Sequence, residues 1–222
     1  MTKSTKRIEW TVLGGLGLII VALAGVFVWS RIAEGTLPLP VIGRISDFEL
    51  TNQEGGRVSF ANLQGQIWVA DIIFTRCPGP CAAMTRRLAE IESAAPAGEP
   101  VRFVTFTSDP DYDTPAVLRR YGERFHADFS RWSFLTGVKR DIRRLAVDDF
   151  KFVVVEKKPE ERETADDLFI HSTWFVLVDQ KGQVRGWTDR QGQLHAYFDS
   201  SDDQDRSRLL TAINQLLRDR ST

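Results

Sequence analysis

The segment Ile67–Phe74 (IWVADIIF) constrains this chain more than any other, because seven of its eight residues are apolar. A strand with one wet face alternates apolar and polar residues, whereas an almost unbroken run of this length reads as a strand covered on both faces. Covering both faces takes layers on either side, and the rest of the sequence supplies them. Ala82–Ser93 places Leu88 and Ile91 on one helical face, and Val101–Thr107 (VRFVTFT) reads as a second central strand. Thr114 followed by Pro115 predicts a capped helix running to about Phe125, and Lys139–Ala146 a short one. Thr173–Asp179 (TWFVLVD) is a third strand, turned by Gln180-Lys181-Gly182 into Val184–Trp187. Shorter strands are expected at Ile45–Leu50, Arg57–Phe60 and Phe152–Val155, with a charged loop over Lys157–Asp167. Leu209, Leu210, Ile213, Leu216 and Leu217 mark a final amphipathic helix that packs on the sheet. Alternating strands and helices predict one α/β sandwich with a central mixed sheet.

The first thirty residues follow a different rule. Lys3, Lys6 and Arg7 precede an uncharged stretch from Trp10 to Ser30, with Trp10 and Trp29 at its two ends. About 20 apolar residues at a rise of 1.5 Å span the roughly 30 Å of a bilayer's hydrocarbon. Indole rings favour the interface, and the preceding positive cluster predicts a cytoplasmic N-terminus. The apolar run continues through Val26, Phe27 and Val28, past the small residues of Ala22-Leu23-Ala24, so an uncleaved anchor is expected rather than a signal peptide. The expected organisation is a cytoplasmic tip and transmembrane helix over 1–31 and a Pro/Gly-containing linker over 32–43. The folded domain over 44–222 then lies on the exported side: a single-pass protein of a bacterial inner membrane, facing the periplasm.

With 29 basic and 30 acidic residues among 222, the net charge is −1, which gives no electrostatic reason to expect nucleic acid. A disulfide scaffold is excluded, because Cys77 and Cys81 are the two cysteines of the chain. They bracket Pro78-Gly79-Pro80, between the end of the buried strand and the start of a helix. A thiolate at a helix start faces unpaired N–H groups, which lowers its pKa. Three intervening residues hold the sulfurs near each other, close enough to form a disulfide or to clamp one soft metal ion. A bridge that merely ties so short a loop removes little unfolded-state entropy. Redox pairs of the thioredoxin type use two intervening residues, not three. Two thiolates rarely satisfy a metal, so a metal site requires a third ligand; thiolates with imidazole suit copper or zinc. Of the three histidines, His126 ends a polar helix and His195 sits in a Gly/Gln-rich segment, both surface positions. His171 directly precedes the strand Thr173–Asp179, and spacing alone leaves it an ordinary structural histidine.

Three motifs change its standing. Phe74-Thr75-Arg76-Cys77-Pro78-Gly79-Pro80-Cys81 resembles the F-T-x-C-P-x-x-C signature of the Sco (SenC) copper proteins. Thr107–Pro115 (TSDPDYDTP) is similar to that family's S-x-D-P-x-x-D-T-P segment, and His171-Ser172-Thr173 with Asp179-Gln180-Lys181-Gly182 to its H-S/T…D-x-x-G region. The resemblance implies a thioredoxin-like fold holding one copper, Cu(I) or Cu(II), through Cys77, Cys81 and His171. It implies delivery of that copper to a membrane protein, a subunit of cytochrome c oxidase, or reduction of that protein's cysteines as a thiol–disulfide reductase with Cys77 and Cys81 as the redox pair. In the first case the protein is a metallochaperone rather than an enzyme. A peroxidase reading is weakened, because Thr75-Arg76-Cys77 lacks the proline and threonine spacing of such sites. Asp109 and Asp113 match acidic positions of the family motif and are expected to form a turn and cap a helix. The chain departs from the family at Gly79-Pro80, where an acid and an apolar residue are common. Ala82 replaces a usual proline, and Ile170 a frequent acid.

Overall fold

The computed structural model describes residues 13, 15–27, 39–152, 154–156, 158, 160, 169–171, 173–189 and 191–220, with backbone alone at 154–156 and 169–171. The chain divides after Pro38 into two compact units. In the first, residues 15–27 are helical. No described helix is long and apolar enough to cross a membrane. Both ends of the expected Trp10–Ser30 span lie outside the described residues.

The second unit opens with strands β1 (Val41–Arg44), β2 (Glu49–Thr51) and β3 (Arg57–Ser59), followed by β4 (Ile67–Ile73), β5 (Val101–Thr107) and β6 (Trp132–Leu135). Its second half carries β7 (Val154–Glu156), β8 (Phe169–His171), β9 (Trp174–Val178) and β10 (Gln183–Arg185). Three two-residue strands follow: β11 (Trp187–Thr188), β12 (Leu194–His195) and β13 (Phe198–Asp199). The main sheet has the order β1-β10-β9-β4-β5-β6, with β13 also pairing β9. β4, β5 and β6 are parallel; β9 runs antiparallel to β4, in the register Trp68↔Val178 and Ala70↔Val176. The mixed sheet expected from the alternating pattern is therefore present.

Every residue of β4 is buried, and the pleat divides them between two cores. Ile67, Val69 and Ile73 join Phe103, Phe134 and Leu177 beneath the helices Pro80–Ala94, Pro115–Arg124 and Asp203–Asp219. Trp68, Ala70 and Ile72 join Phe106, Val176 and Phe150 on the other side, closed by Phe48, Leu63 and Leu145. By the same alternation Asp71, fully buried, falls on the first face, the one that also holds Cys81 and Tyr121.

The structure departs from expectation in several places. β1 occupies the end of the segment read as a linker; the flanking prolines suggested unpaired chain, but β1 pairs β10 as an edge strand. The expected strand Ile45–Leu50 shrinks to Glu49–Thr51, since Ile45 and Phe48 pack into the core from a loop. The short helix from Lys139 widens after Arg144 into a π-helical turn, Leu145–Asp149, which brings the Asp149 carboxylate to the Ser46 backbone N–H at 2.9 Å. The expected strand Val184–Trp187 breaks at Gly186 into β10 and β11, and β6, β8, β12 and β13 were not expected.

Candidate metal centre

The cysteine loop is built by the change from strand to helix. β4 ends at Ile73, whose carbonyl is held by the Ser108 N–H at 2.7 Å, and the Cys77 N–H turns back to the Phe74 carbonyl at 3.1 Å. Pro80 then opens the helix Pro80–Ala94 at a position where its missing N–H costs nothing. Cys81 therefore lies in the first helical turn, where N–H groups lack intrahelical acceptors. Its N–H points to the Cys77 sulfur, 3.4 Å away. Cys77 is partly exposed at the mouth of the loop, whereas Cys81 is 1% exposed and packs with Phe74 and Met84.

Burial pushes the Cys81 thiol well above the ordinary range. The hydrogen bond to Cys77 and the charge at Cys77 add to the effect, as does the Asp71 carboxylate, against a lowering contact from the Phe74 backbone. The expectation that the helix start lowers this pKa is thereby corrected: desolvation outweighs the dipole, and the helical N–H is directed at the other sulfur. Tyr121, whose hydroxyl lies 2.9 Å from Thr85 Oγ1, is likewise pushed above its ordinary value, chiefly by burial. In the reduced protein, limiting iodoacetamide should modify Cys77 well before Cys81, and peptide mass spectrometry reads the order. Equal labelling would contradict this asymmetry.

Two aspartates tether the loop from across the sheet. Asp113 is fully buried and accepts from the Thr75 N–H at 3.1 Å, from the Thr75 hydroxyl, and from the Thr107 hydroxyl. Asp109 accepts from Arg76 at 2.6 Å, and the same guanidinium lies over the Tyr112 ring, 4.2 Å from its centroid. The two residues before Cys77 are thus fixed to the segment after β5. These carboxylates do more than the turn formation and capping expected of them. Thr114, not either aspartate, caps the helix Pro115–Arg124. Their partners in the cysteine loop lie 38 and 33 residues away in sequence, so local pattern carried no signal for those contacts.

The third expected ligand belongs to a separate two-stranded arm, β7–β8, in which Val154 pairs His171. The chain passes from His171 into β9, whose first residues lie toward the end of β4 that leads to the cysteines. The His171 side chain is outside the described residues. Among the described residues no three His, Cys, Asp or Glu side chains converge as a metal site. The other histidines are elsewhere: His126 is exposed with φ +57°, and His195 in β12 contacts Asp189 at 3.0 Å and stacks on Trp187. Two neighbouring cysteines, one buried and one partly so, are a soft donor pair of the kind that suits copper.

The SCO1/SenC family model matches residues 43–204. The SCO1 protein homolog of Bacillus subtilis is 35% identical over 147 residues, covering 65% of this chain and 73% of that one. BsSco, a member of the Sco family of cytochrome c oxidase assembly proteins with an identified disulfide switch, superposes with a TM-score of 0.65 at 26% identity, covering 81% and 98% of the two chains. Bradyrhizobium japonicum ScoI, solved with copper bound, shares the fold at a TM-score of 0.59 and 19% identity, covering 79% and 98%. A thioredoxin-like sheet that ends in a paired-cysteine loop, matched along most of its length, makes this chain a member of the SCO1/SenC family.

Proposed function

We propose that this protein is a membrane-anchored copper carrier for the assembly of cytochrome c oxidase, binding one copper ion through Cys77, Cys81 and His171. The observation that carries the reading is the sulfur pair itself: Cys81 N–H to Cys77 Sγ at 3.4 Å, one cysteine partly exposed and the other buried. Copper-bound and oxidase-assembly relatives in the family support the choice of cargo and receiving complex. Cys77 meets the donor or acceptor first, Cys81 anchors from the buried side, and an imidazole from the β7–β8 arm completes a Cys₂His set. The cargo leaves by ligand exchange, because a partner's thiolate or imidazole can displace Cys77 without entering the core. Anaerobic titration of the reduced protein with Cu(I) against a competing chelator tests the reading; a stoichiometry well below one copper per chain would refute it.

The same asymmetry favours a second reading, a thiol–disulfide reductase in which Cys77 attacks a partner disulfide and Cys81 resolves the mixed disulfide. The sulfur of the partly exposed cysteine receives the helical N–H, as an attacking thiolate requires. His171→Ala separates the two, since exchange does not need the imidazole.

The anchor belongs to the same proposal. Lys3, Lys6 and Arg7 ahead of the apolar run, with residues 15–27 helical, support a single pass with the domain outside the cytoplasm. A reporter active only outside the cytoplasm, fused after Thr222, should be active and sediment with membranes. An active but soluble fusion would show cleavage near Ala24 instead.

A further inference from the structure

The β7–β8 arm is not part of the main sheet; it is a ladder of its own, three pairs long. Its innermost pair is Val154↔His171, so the proposed third ligand sits at the root and not at the tip. The chain enters the arm through Lys151 and Phe152 and leaves it through Thr173 and Trp174. Tyr197, which comes from a third segment, touches both sides of this root. Its ring stacks on Trp174 with centroids 4.4 Å apart and planes at 10°, and meets Phe152 at 5.8 Å and 34°. Its hydroxyl donates to the Lys151 carbonyl at 2.8 Å, at a residue with φ +59°.

Tyr197 is itself braced. Its carbonyl accepts from Trp187 Nε1 at 3.0 Å. That indole is held between His195, 4.1 Å away and nearly parallel, and the Arg208 guanidinium at 4.4 Å. The next residue, Phe198, pairs with Phe175 in the main sheet, beside Trp174. The entering strand is secured as well: the Phe152 N–H bonds the Ala146 carbonyl at 2.8 Å, and Phe152 meets Phe150 at 5.6 Å. A rigid part of the domain therefore reaches, through one side chain, both chain segments flanking the arm.

We propose that Tyr197 is a positioning residue for His171, fixing the root of the arm on which that residue sits. The proposal rests on the assignment of His171 as the third ligand. Its physical basis is tolerance: a metal–nitrogen bond accepts displacements of about 0.2 Å, whereas opposed residues in an antiparallel pair lie about 5 Å apart and move together. Loosening the root moves His171 with Val154.

The test uses the full chain in detergent, with two measurements on Tyr197→Ala, Tyr197→Phe, His171→Ala and the Tyr197→Ala/His171→Ala pair. The first is amide hydrogen exchange of the copper-free protein. Tyr197→Ala should speed exchange at residues 154–156 and 169–171 by about tenfold or more, leaving β4 and β5 unchanged. Tyr197→Phe, which keeps the ring and loses the hydroxyl, should give a smaller change. Unchanged exchange in the arm, or faster exchange everywhere, overturns the clamp whatever the fate of copper. The second is Cu(I) affinity against a competing chelator, with the Cu(II) charge-transfer band. Tyr197→Ala should weaken Cu(I) binding about tenfold in the wild-type background and shift the band, yet change nothing further when His171 is already alanine. An equal loss in both backgrounds shows that Tyr197 does not act through His171 and overturns the proposal. An unchanged affinity in His171→Ala alone identifies the ligand assignment as the failure, independently of the exchange result.

Discussion

Replacing Cys77 or Cys81 by alanine should abolish tight copper binding, while His171→Ala should weaken it by about one to three orders of magnitude, or about 1.4–4 kcal/mol. The ranking follows from the donors. A thiolate is both a soft ligand and a charge, and each cysteine supplies half of the pair joined by the Cys81 N–H contact to Cys77 Sγ. Loss of either leaves one sulfur with no neighbouring donor of its kind among the described residues. Loss of the imidazole leaves two thiolates, a usable two-coordinate set for Cu(I) that Cu(II) can oxidise to a disulfide. The sulfur-to-copper absorption of a Cu(II) form should therefore disappear in His171→Ala, while exchange with a small disulfide stays near wild type. Equal Cu(I) affinity and an unchanged Cu(II) spectrum in wild type and His171→Ala would sink the carrier assignment in favour of the reductase.

How far the sequence revealed this arrangement depends on whether a feature is local. β4, β5 and β9 are runs of apolar residues whose burial on both faces leaves a direct composition signal, and all three were legible within a residue or two. β6 is mostly buried too, but it lies at the sheet's edge and is only four residues long, and its Ser133 breaks the run, so nothing marked it off from the preceding loop. The hairpin strands β11 and β12 are two residues each, fixed by the stacking of Trp187 on His195 rather than by any period. At the site, the cysteines announce themselves by spacing. Its place before a buried strand set His171 apart from the other histidines, but only family resemblance made it a ligand, because a histidine before a strand has no chemical signature of its own. Asp71 was visible as the one break in IWVADIIF, but its closeness to Cys81 and Tyr121 comes from the way the helices pack on that face.

The tether at Asp113 has the largest expected effect on stability. Its carboxylate holds three donors, the Thr75 N–H, the Thr75 hydroxyl and the Thr107 hydroxyl, in a site closed to solvent. Asp113→Ala strands them; the hydroxyls can rotate toward other acceptors, but the half-buried Thr75 N–H cannot, so the cost should be about 2–4 kcal/mol. For a domain of this size that is roughly 5–15 °C in Tm, read by calorimetry or circular dichroism. Asp113→Asn keeps one acceptor oxygen and the shape, and should cost much less. The two variants also separate hydrogen bonding from charge. Burial raises the Asp113 carboxyl above its ordinary value, although its hydrogen bonds to Thr107 and Thr75 pull the other way. A raised folded-state pKa means that the folded protein takes up the proton more readily than the unfolded chain. The stability from this group is therefore fully present below the ordinary aspartate range and lost as pH rises through the raised value. Asp113→Asn should flatten that part of the stability–pH curve, whereas wild type should gain stability on mild acidification there. Thr75 stands two residues before Cys77, so the alanine variant should also loosen the cysteine loop, and Cys81 should become alkylated several-fold faster while the wild-type order, Cys77 first, is eroded. A Tm within about 2 °C of wild type, with Cys81 still protected, would show that the loop is held by the Arg76–Asp109 pair and the helix start instead.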